Sequence, residues 1–175
     1  MIGRIGDKLI FRTRWGWMGA AASARGVRAI ILPKASRRAA EAALQGEAPS
    51  SNGRSSPRAA TVLREARAQL EGFIQGTRRQ LDFPVDLSDG TAFQRRVWRT
   101  ILRIPYGRVR SYKWVAARVG GKEYARAVGL ALGANPLPLI VPCHRIVATD
   151  SSLGGFSGGL RTKRRLLRLE GTIPP

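Results

Sequence analysis

The chain has one cysteine and one histidine in 175 residues. A single cysteine excludes an intramolecular disulfide framework. One cysteine with one histidine cannot assemble the usual Cys/His zinc site either. Acidic residues are scarce: 11 Asp and Glu stand against 31 Lys and Arg, a net charge of +20. Such an excess points to a polyanionic partner, either nucleic acid or an anionic membrane surface. Long apolar runs are missing as well. The longest stretch free of charge and histidine is Ala127–Cys143, and it contains Pro136, Pro138, Pro142, Gly129, Gly133 and Asn135. A spanning helix needs about 20 apolar residues, so none is expected. Arg12 and Arg14 before the segment Trp15–Ala24 give a superficial likeness to an export signal. That segment is only weakly apolar, and Asp7, Lys8 and further apolar residues precede it. The expectation is therefore a cytoplasmic, reduced protein with no membrane partner.

What is present suffices for a core. Apolar residues make up 43% of the chain, and its length suits one ordinary domain or two small ones. Short apolar pieces between residues 8 and 32, punctuated by Gly16, Gly19 and Gly26, predict two or three strands of a small sheet. Ser36 can cap a helix that runs through Leu44 and stops at Gly46. Residues 46–57 carry loop chemistry throughout. A second helix is expected from the spacing of Val62, Leu63, Ala66, Leu70, Phe73 and Ile74. Phe83-Pro84-Val85 then crosses into a second region. Net charge is +9 over residues 1–84, from 15 basic and 6 acidic residues, and +11 over 85–175, from 16 and 5. Charge alone does not place a binding face.

Beyond residue 90 the local signals strengthen. Thr91 and Gln94 fit a capping box, and Phe93, Val97, Ile101 and Leu102 form an apolar stripe ended by Pro105 and Gly107. Ser111 can cap the next helix, with Val115, Ala116 and Val119 inward, broken at Gly120-Gly121. A further helix is expected from about Glu123 to Leu132. Two short helices joined by a glycine turn suggest a helix-turn-helix, although helical hairpins of other kinds share the pattern.

The chemistry concentrates in Asn135-Pro-Leu-Pro-Leu-Ile-Val-Pro-Cys-His-Arg-Ile-Val147. The prolines favour extended chain, and Leu139-Ile-Val141 reads as a short buried strand. Pro142 at the first position of a helical turn would set Cys143 near backbone N–H groups that favour a thiolate. A buried cysteine often serves only as a small hydrophobe. Here the one cysteine adjoins the one histidine, His144, and the cation of Arg145 follows. Neighbouring side chains diverge, so a bridging water is the natural link between Cys143 and His144. The Gly-Gly-Phe-Ser-Gly-Gly run at 154–159 is either a surface turn or a loop that lets a flat ligand approach its backbone. It matches neither phosphate-binding glycine pattern, so no nucleotide cofactor is expected. The last helix is expected from Leu160 to Glu170, with Lys163-Arg164-Arg165 as a solvated face. An acid at its C-terminal end, Glu170, invites a partner, and His144 is the candidate.

Pro142-Cys-His-Arg145, with Asn135-Pro136 before it and Ser157-Gly-Gly-Leu160 after it, resembles the O6-alkylguanine-DNA alkyltransferase family. Phe-Gln-Arg-Arg-Val-Trp98, Ile-Pro-Tyr-Gly107, Ser-Tyr112 and Arg-Ala-Val-Gly129 extend the likeness over roughly residues 91–171. Over 1–85 it rests on element order alone. The resemblance implies an α/β protein in two parts. A small N-terminal sheet with helices, ribonuclease H-like, would form a support domain over 1–85. A mainly helical domain with a helix-turn-helix over 86–175 would carry DNA binding and the active site. It implies a single-turnover repair reaction on double-stranded DNA containing O6-alkylguanine, with O4-alkylthymine as a further substrate. The protein would act as a monomer, without cofactor or metal. Cys143 would be the acceptor, His144 a base acting through water, and Glu170 its orienting partner. Asn135 would hold the active-site turn, and Tyr112 would donate a proton toward the guanine ring. Ser157, the main chain at Ile146, Phe156, Gly158 and Lys163 would surround the substrate. Arg126 would fill the vacated base stack, with Ser111, Tyr112, Ala127 and Gly129 beside it at the DNA. Phe156 stands where many members carry Tyr. The rival readings are a non-enzymatic helix-turn-helix protein that binds lesions or regulates genes, and a thiol hydrolase with a Cys–His–Glu triad.

Overall fold

The computed structural model describes residues 3–4, 7–47, 56–150 and 152–174. The chain divides into two compact units, residues 1–87 and 88–175. Most of the loop expected at 46–57 lies outside the described residues.

The first unit is an antiparallel sheet in the order β1 (Gly3–Arg4), β2 (Lys8–Thr13), β3 (Gly16–Ser23), β4 (Gly26–Lys34). Two helices follow: α1 (Arg37–Glu47) and α2 (Pro57–Gln75). Side chains alternate across a strand, so one face of the sheet carries Ile10, Ala21, Ala29 and Ile31, which pack with Ala40 and Leu44 of α1. The opposite face carries Leu9, Phe11, Met18 and Ile30, all buried. There α2 lays its buried stripe of Val62, Leu63, Ala66, Leu70, Phe73 and Ile74, and its Arg67 guanidinium lies 6.0 Å from the Phe11 ring. With both faces covered, β3 needs small apolar residues throughout rather than alternation, and Gly19-Ala-Ala-Ala22 supplies them. Pro33 and Lys34 extend β4 beyond the apolar run that marked it in sequence. Residues 84–86 run beside β4. Val27 donates to the Pro84 carbonyl at 2.9 Å, and Asp86 donates its N–H to Val27 at 2.8 Å. A Cβ at Gly26 would lie 2.6 Å from the Pro84 carbonyl, so only glycine permits this approach.

The second unit is mainly helical. Its elements are α3 (Ala92–Ile101), β5 (Arg110–Ser111), α4 (Tyr112–Val119), α5 (Ala125–Gly133), β6 (Ile146–Val147) and α6 (Leu160–Leu169). The capping box at α3 is complete: Gln94 N–H donates to Thr91 Oγ1 at 3.2 Å, and Thr91 N–H donates to Gln94 Oε1 at 2.8 Å. Ser111 caps α4 by accepting from Trp114 N–H at 3.1 Å. Trp98 fills the core and donates its indole N–H to the Ala131 carbonyl of α5 at 2.8 Å.

Three local expectations are corrected. The helix expected from Glu123 begins as a 3₁₀ turn over Lys122–Tyr124, and α5 starts only at Ala125. Leu139–Val141 is a turn, not a strand: Val141 N–H closes back onto Leu137 at 2.9 Å, and Leu139 takes φ +78°. The strand instead falls at β6, where Arg110 and Ser111 pair in parallel with Ile146 and Val147. Glu170 is the C-cap of α6 rather than its last helical residue.

Candidate active site

The Asn135–Val141 turn is organised by one side chain. Asn135 Oδ1 accepts from Leu137 N–H at 3.0 Å, while Nδ2 donates to the Val141 carbonyl at 2.9 Å and to Cys143 Sγ at 3.1 Å. A buried amide thus spends its valence on the turn and on the sulfur together. Pro142 precedes a 3₁₀ turn, Cys143–Arg145, as its cap rather than its first residue. Cys143 N–H donates to the Val141 carbonyl at 2.8 Å, and the backbone N–H groups of Cys143 and His144 also favour the charged sulfur, as expected. Burial pushes the Cys143 thiol up, and the Asn135 bond and the Lys163 charge only partly oppose it. The expected resting thiolate is therefore corrected: the sulfur is held as a thiol until a base takes its proton.

The next two residues turn away from the sulfur toward the acid at the end of α6. His144 Nε2 lies 2.7 Å from Glu170 Oε1. Arg145 meets the same carboxylate through Nε at 2.9 Å and Nη2 at 2.9 Å, and also donates to the Ile104 carbonyl at 2.6 Å. Gly107 N–H donates to Glu170 Oε2 at 3.0 Å. Both His144 and Glu170 side chains are fully buried. Burial by itself would raise the Glu170 carboxyl, but His144 and Arg145 outweigh it and hold the group down to about 2. Burial lowers His144, with Glu170 opposing, so the ring is neutral. A carboxylate can only accept, so the ring proton sits on Nε2 and Nδ1 keeps its lone pair. Nδ1 is buried and has no hydrogen-bond partner among the described residues.

A cavity of about 450 Å³ opens over the sulfur. Tyr112, Arg126, Gly129, Cys143, Phe156 and Ser157 all line it. The Tyr112 hydroxyl donates to the Gly155 carbonyl at 3.3 Å. Burial keeps it protonated, with the nearby Cys143 adding to that effect. Gly154 passes beneath the ring at φ +62°, where a Cβ would lie 3.0 Å from the Tyr112 ring.

Other expected site residues fall outside the lining. Ser111 is a helix cap, while half-buried Ala127 and Gly158 do not reach the cavity. The Ile146 main chain is already engaged, because the Lys163 ammonium donates to its carbonyl and to those of Leu153 and Gly155, the last at 3.2 Å. Lys163 is fully buried, so the solvated face expected at 163–165 does not include it. Desolvation brings its pKa down to about 8, and the neighbouring Cys143 resists that fall. It latches the 153–155 loop to β6 and sets a positive charge near the sulfur.

Leu130 and Gly133 also line the α5 side of the cavity, as do Ala125 and Leu132. Arg126, Gly129, Leu130 and Gly133 stand at i, i+3, i+4 and i+7 on one helix face, a spacing visible in sequence once α5 is placed. The Arg145 ion pair had no comparable signal.

The α/β chain thus sets its one cysteine, buried, on the wall of a cavity of about 450 Å³. A family model for 6-O-methylguanine DNA methyltransferase, DNA binding domain, matches residues 92–172. A Mycobacterium tuberculosis methylated-DNA–protein-cysteine methyltransferase is 47% identical over 107 residues, 61% of this chain. The matched segment spans 64% of the length of that relative. The Methanosarcina barkeri protein of the same name is 43% identical over 62% of this chain and 68% of its own. Among solved structures, Mycobacterium tuberculosis OGT in complex with DNA superposes with a TM-score of 0.73 at 34% identity, covering 92% of this chain and 90% of that one. The chain belongs to the methylated-DNA–protein-cysteine methyltransferase family.

Proposed function

We propose that this protein repairs O6-alkylguanine in double-stranded DNA by moving the alkyl group to Cys143, once per molecule. The observation that carries the reading is a thiol on the wall of the cavity, bonded to Asn135 at the sulfur, with a base-competent His144–Glu170 pair next to it in the chain. The target base is flipped out of the duplex into the cavity, and Arg126 fills the gap it leaves. His144 Nδ1 takes the thiol proton through a water. The sulfur attacks the alkyl carbon in line, the S–C bond forms, and the C–O6 bond breaks with its electrons on the base. Tyr112 supplies a proton to the guanine ring, which makes it a better leaving group, and Ser157 receives the O6 atom. The proton on His144 then returns through water to the Tyr112 oxygen, so in balance the thiol hydrogen is exchanged for the alkyl group, and guanine is restored. No oxidant, metal or cofactor enters the step.

In this reading α4 and α5 form a helix-turn-helix, with α5 entering the minor groove. Residues 86–175 carry DNA binding and chemistry. Residues 1–85, with a sheet of ribonuclease H-like kind, support them. The protein acts as a cytoplasmic monomer, and O4-alkylthymine is a further substrate. Contact through phosphates and the minor groove depends little on sequence, which suits a chain of net charge +20 scanning DNA. Intact mass after mixing with O6-methylguanine DNA tests the reading. A single methyl adduct on Cys143, absent from Cys143→Ala, is expected. Folded protein without the adduct overturns it and leaves a non-enzymatic lesion binder. Turnover of acyl substrates beyond one equivalent would point to a thiol hydrolase instead.

A further inference from the structure

Two guanidiniums lie against one indole, and the reaction just described uses none of the three side chains. Trp114, in the first turn of α4, has Arg118 Cζ 3.7 Å from its ring centroid and Arg110 Cζ 5.4 Å away. Arg118 is four residues on along α4, which places it over the same face of the helix. Both arginines are exposed, while Trp114 is half-buried. Each spends one N–H on a nearby carbonyl: Arg110 on Val109 at 2.9 Å, and Arg118 on Trp114 at 3.2 Å. Neither pairs with a carboxylate among the described residues. A guanidinium has five donors, so most remain free on two cations whose planes the ring already holds. Arg110 also lies two residues before the cavity residue Tyr112, and β5 ties that point to β6, just after Cys143.

We infer that Arg110 and Arg118, held by Trp114, form a preorganised clamp for the phosphate backbone of the duplex at the rim of the cavity. The inference rests on the reading that the chain binds DNA. Stacking matters because a surface arginine otherwise loses side-chain freedom on meeting a phosphate; here the indole has already restricted it. The clamp reads charge and not bases, so it grips damaged and undamaged DNA alike.

The experiment is binding of a fluorescent undamaged duplex across 50 to 200 mM salt, with the rate of reaction with free O6-benzylguanine measured in parallel. Each phosphate contact contributes about 0.9 to the slope of log K against log salt, roughly 3.5-fold in affinity over that range. Arg118→Ala and Arg110→Ala are each expected to lower the slope by about that amount, and the double variant by about twice as much. Trp114→Phe keeps both charges, so it should weaken binding several-fold at an unchanged slope. The free-base rate should stay at the parental value in all of them, which shows that the fold and pocket are intact. Arginine variants with the parental slope and affinity, at a normal free-base rate, overturn the clamp. Where Trp114→Phe alone disturbs the free-base rate, the two arginine variants decide the matter. A parent that takes no alkyl group from either substrate defeats the repair reading, yet the clamp still stands or falls on the slopes.

Discussion

The two units bury different things. The first packs alanine, valine, leucine, isoleucine, methionine and phenylalanine on both sides of its sheet, and among its described residues only Gln69 and Asp86 are buried polar groups. The second sinks Asn135, His144, Arg145, Lys163 and Glu170 into its interior. Buried ionic groups are weak contributors to net stability, since desolvation offsets their attraction. The second unit therefore gives up more stability to buried polar groups than the first. Asp86 makes the contrast plain: its partner Arg25 keeps 70% of its side chain in solvent, whereas Arg145 keeps 8% on Glu170.

That contrast can be broken by experiment. The largest effect is expected from Arg145→Met, which strands the Glu170 carboxylate in a buried site. Urea unfolding should show a loss of about 3–5 kcal/mol. A loss below about 1 kcal/mol would make the pair no different from a surface one. Acid titration comes next. Glu170 is held down to about 2 against an ordinary value of 4.5. A depressed acid stabilises the fold in full above its unfolded value, and that stabilisation is lost as pH falls through the folded value. The parent should therefore lose stability between pH 4.5 and 2, and Glu170→Gln should show a flatter acid limb in the same denaturant series. Parallel curves would sink the assignment. A smaller effect, about 1 kcal/mol, is expected for Thr91→Ala, which removes one half of the capping box on α3. The smallest is Arg25→Ala in the first unit, within about 1 kcal/mol because its guanidinium is mostly in water. A larger loss there would show that the first unit also relies on an ion pair.

Much of this was legible before any coordinates. The stripe on α2 and the caps at Thr91 and Ser111 depend on residues three or four apart, and local spacing is enough to find them. The pairing of His144 with Glu170 followed from the oddity of an acid at a helix C-terminus. The turn at Leu139–Val141 was not legible, because the Asn135 side chain braces its one backbone bond from both ends, and apolar spacing does not reveal that. The solvated-face reading of Lys163 failed because a run of three basic residues does not reveal which one points inward. The missed strand at Ile146–Val147 needed a partner 36 residues earlier.

The sequence alone determined what depends on near neighbours and on composition: the helices and several of their caps, the small sheet, the excess of positive charge, and the lone Cys–His–Arg chemistry. Tertiary structure decided the protonation states and the reach of that chemistry. Desolvation and the placing of distant charges set whether Cys143 is a thiol, which nitrogen of His144 holds the proton, and why the ammonium of Lys163 faces three carbonyls instead of water. Those energies depend on groups far apart in the chain, and only folding brings them within a few ångströms.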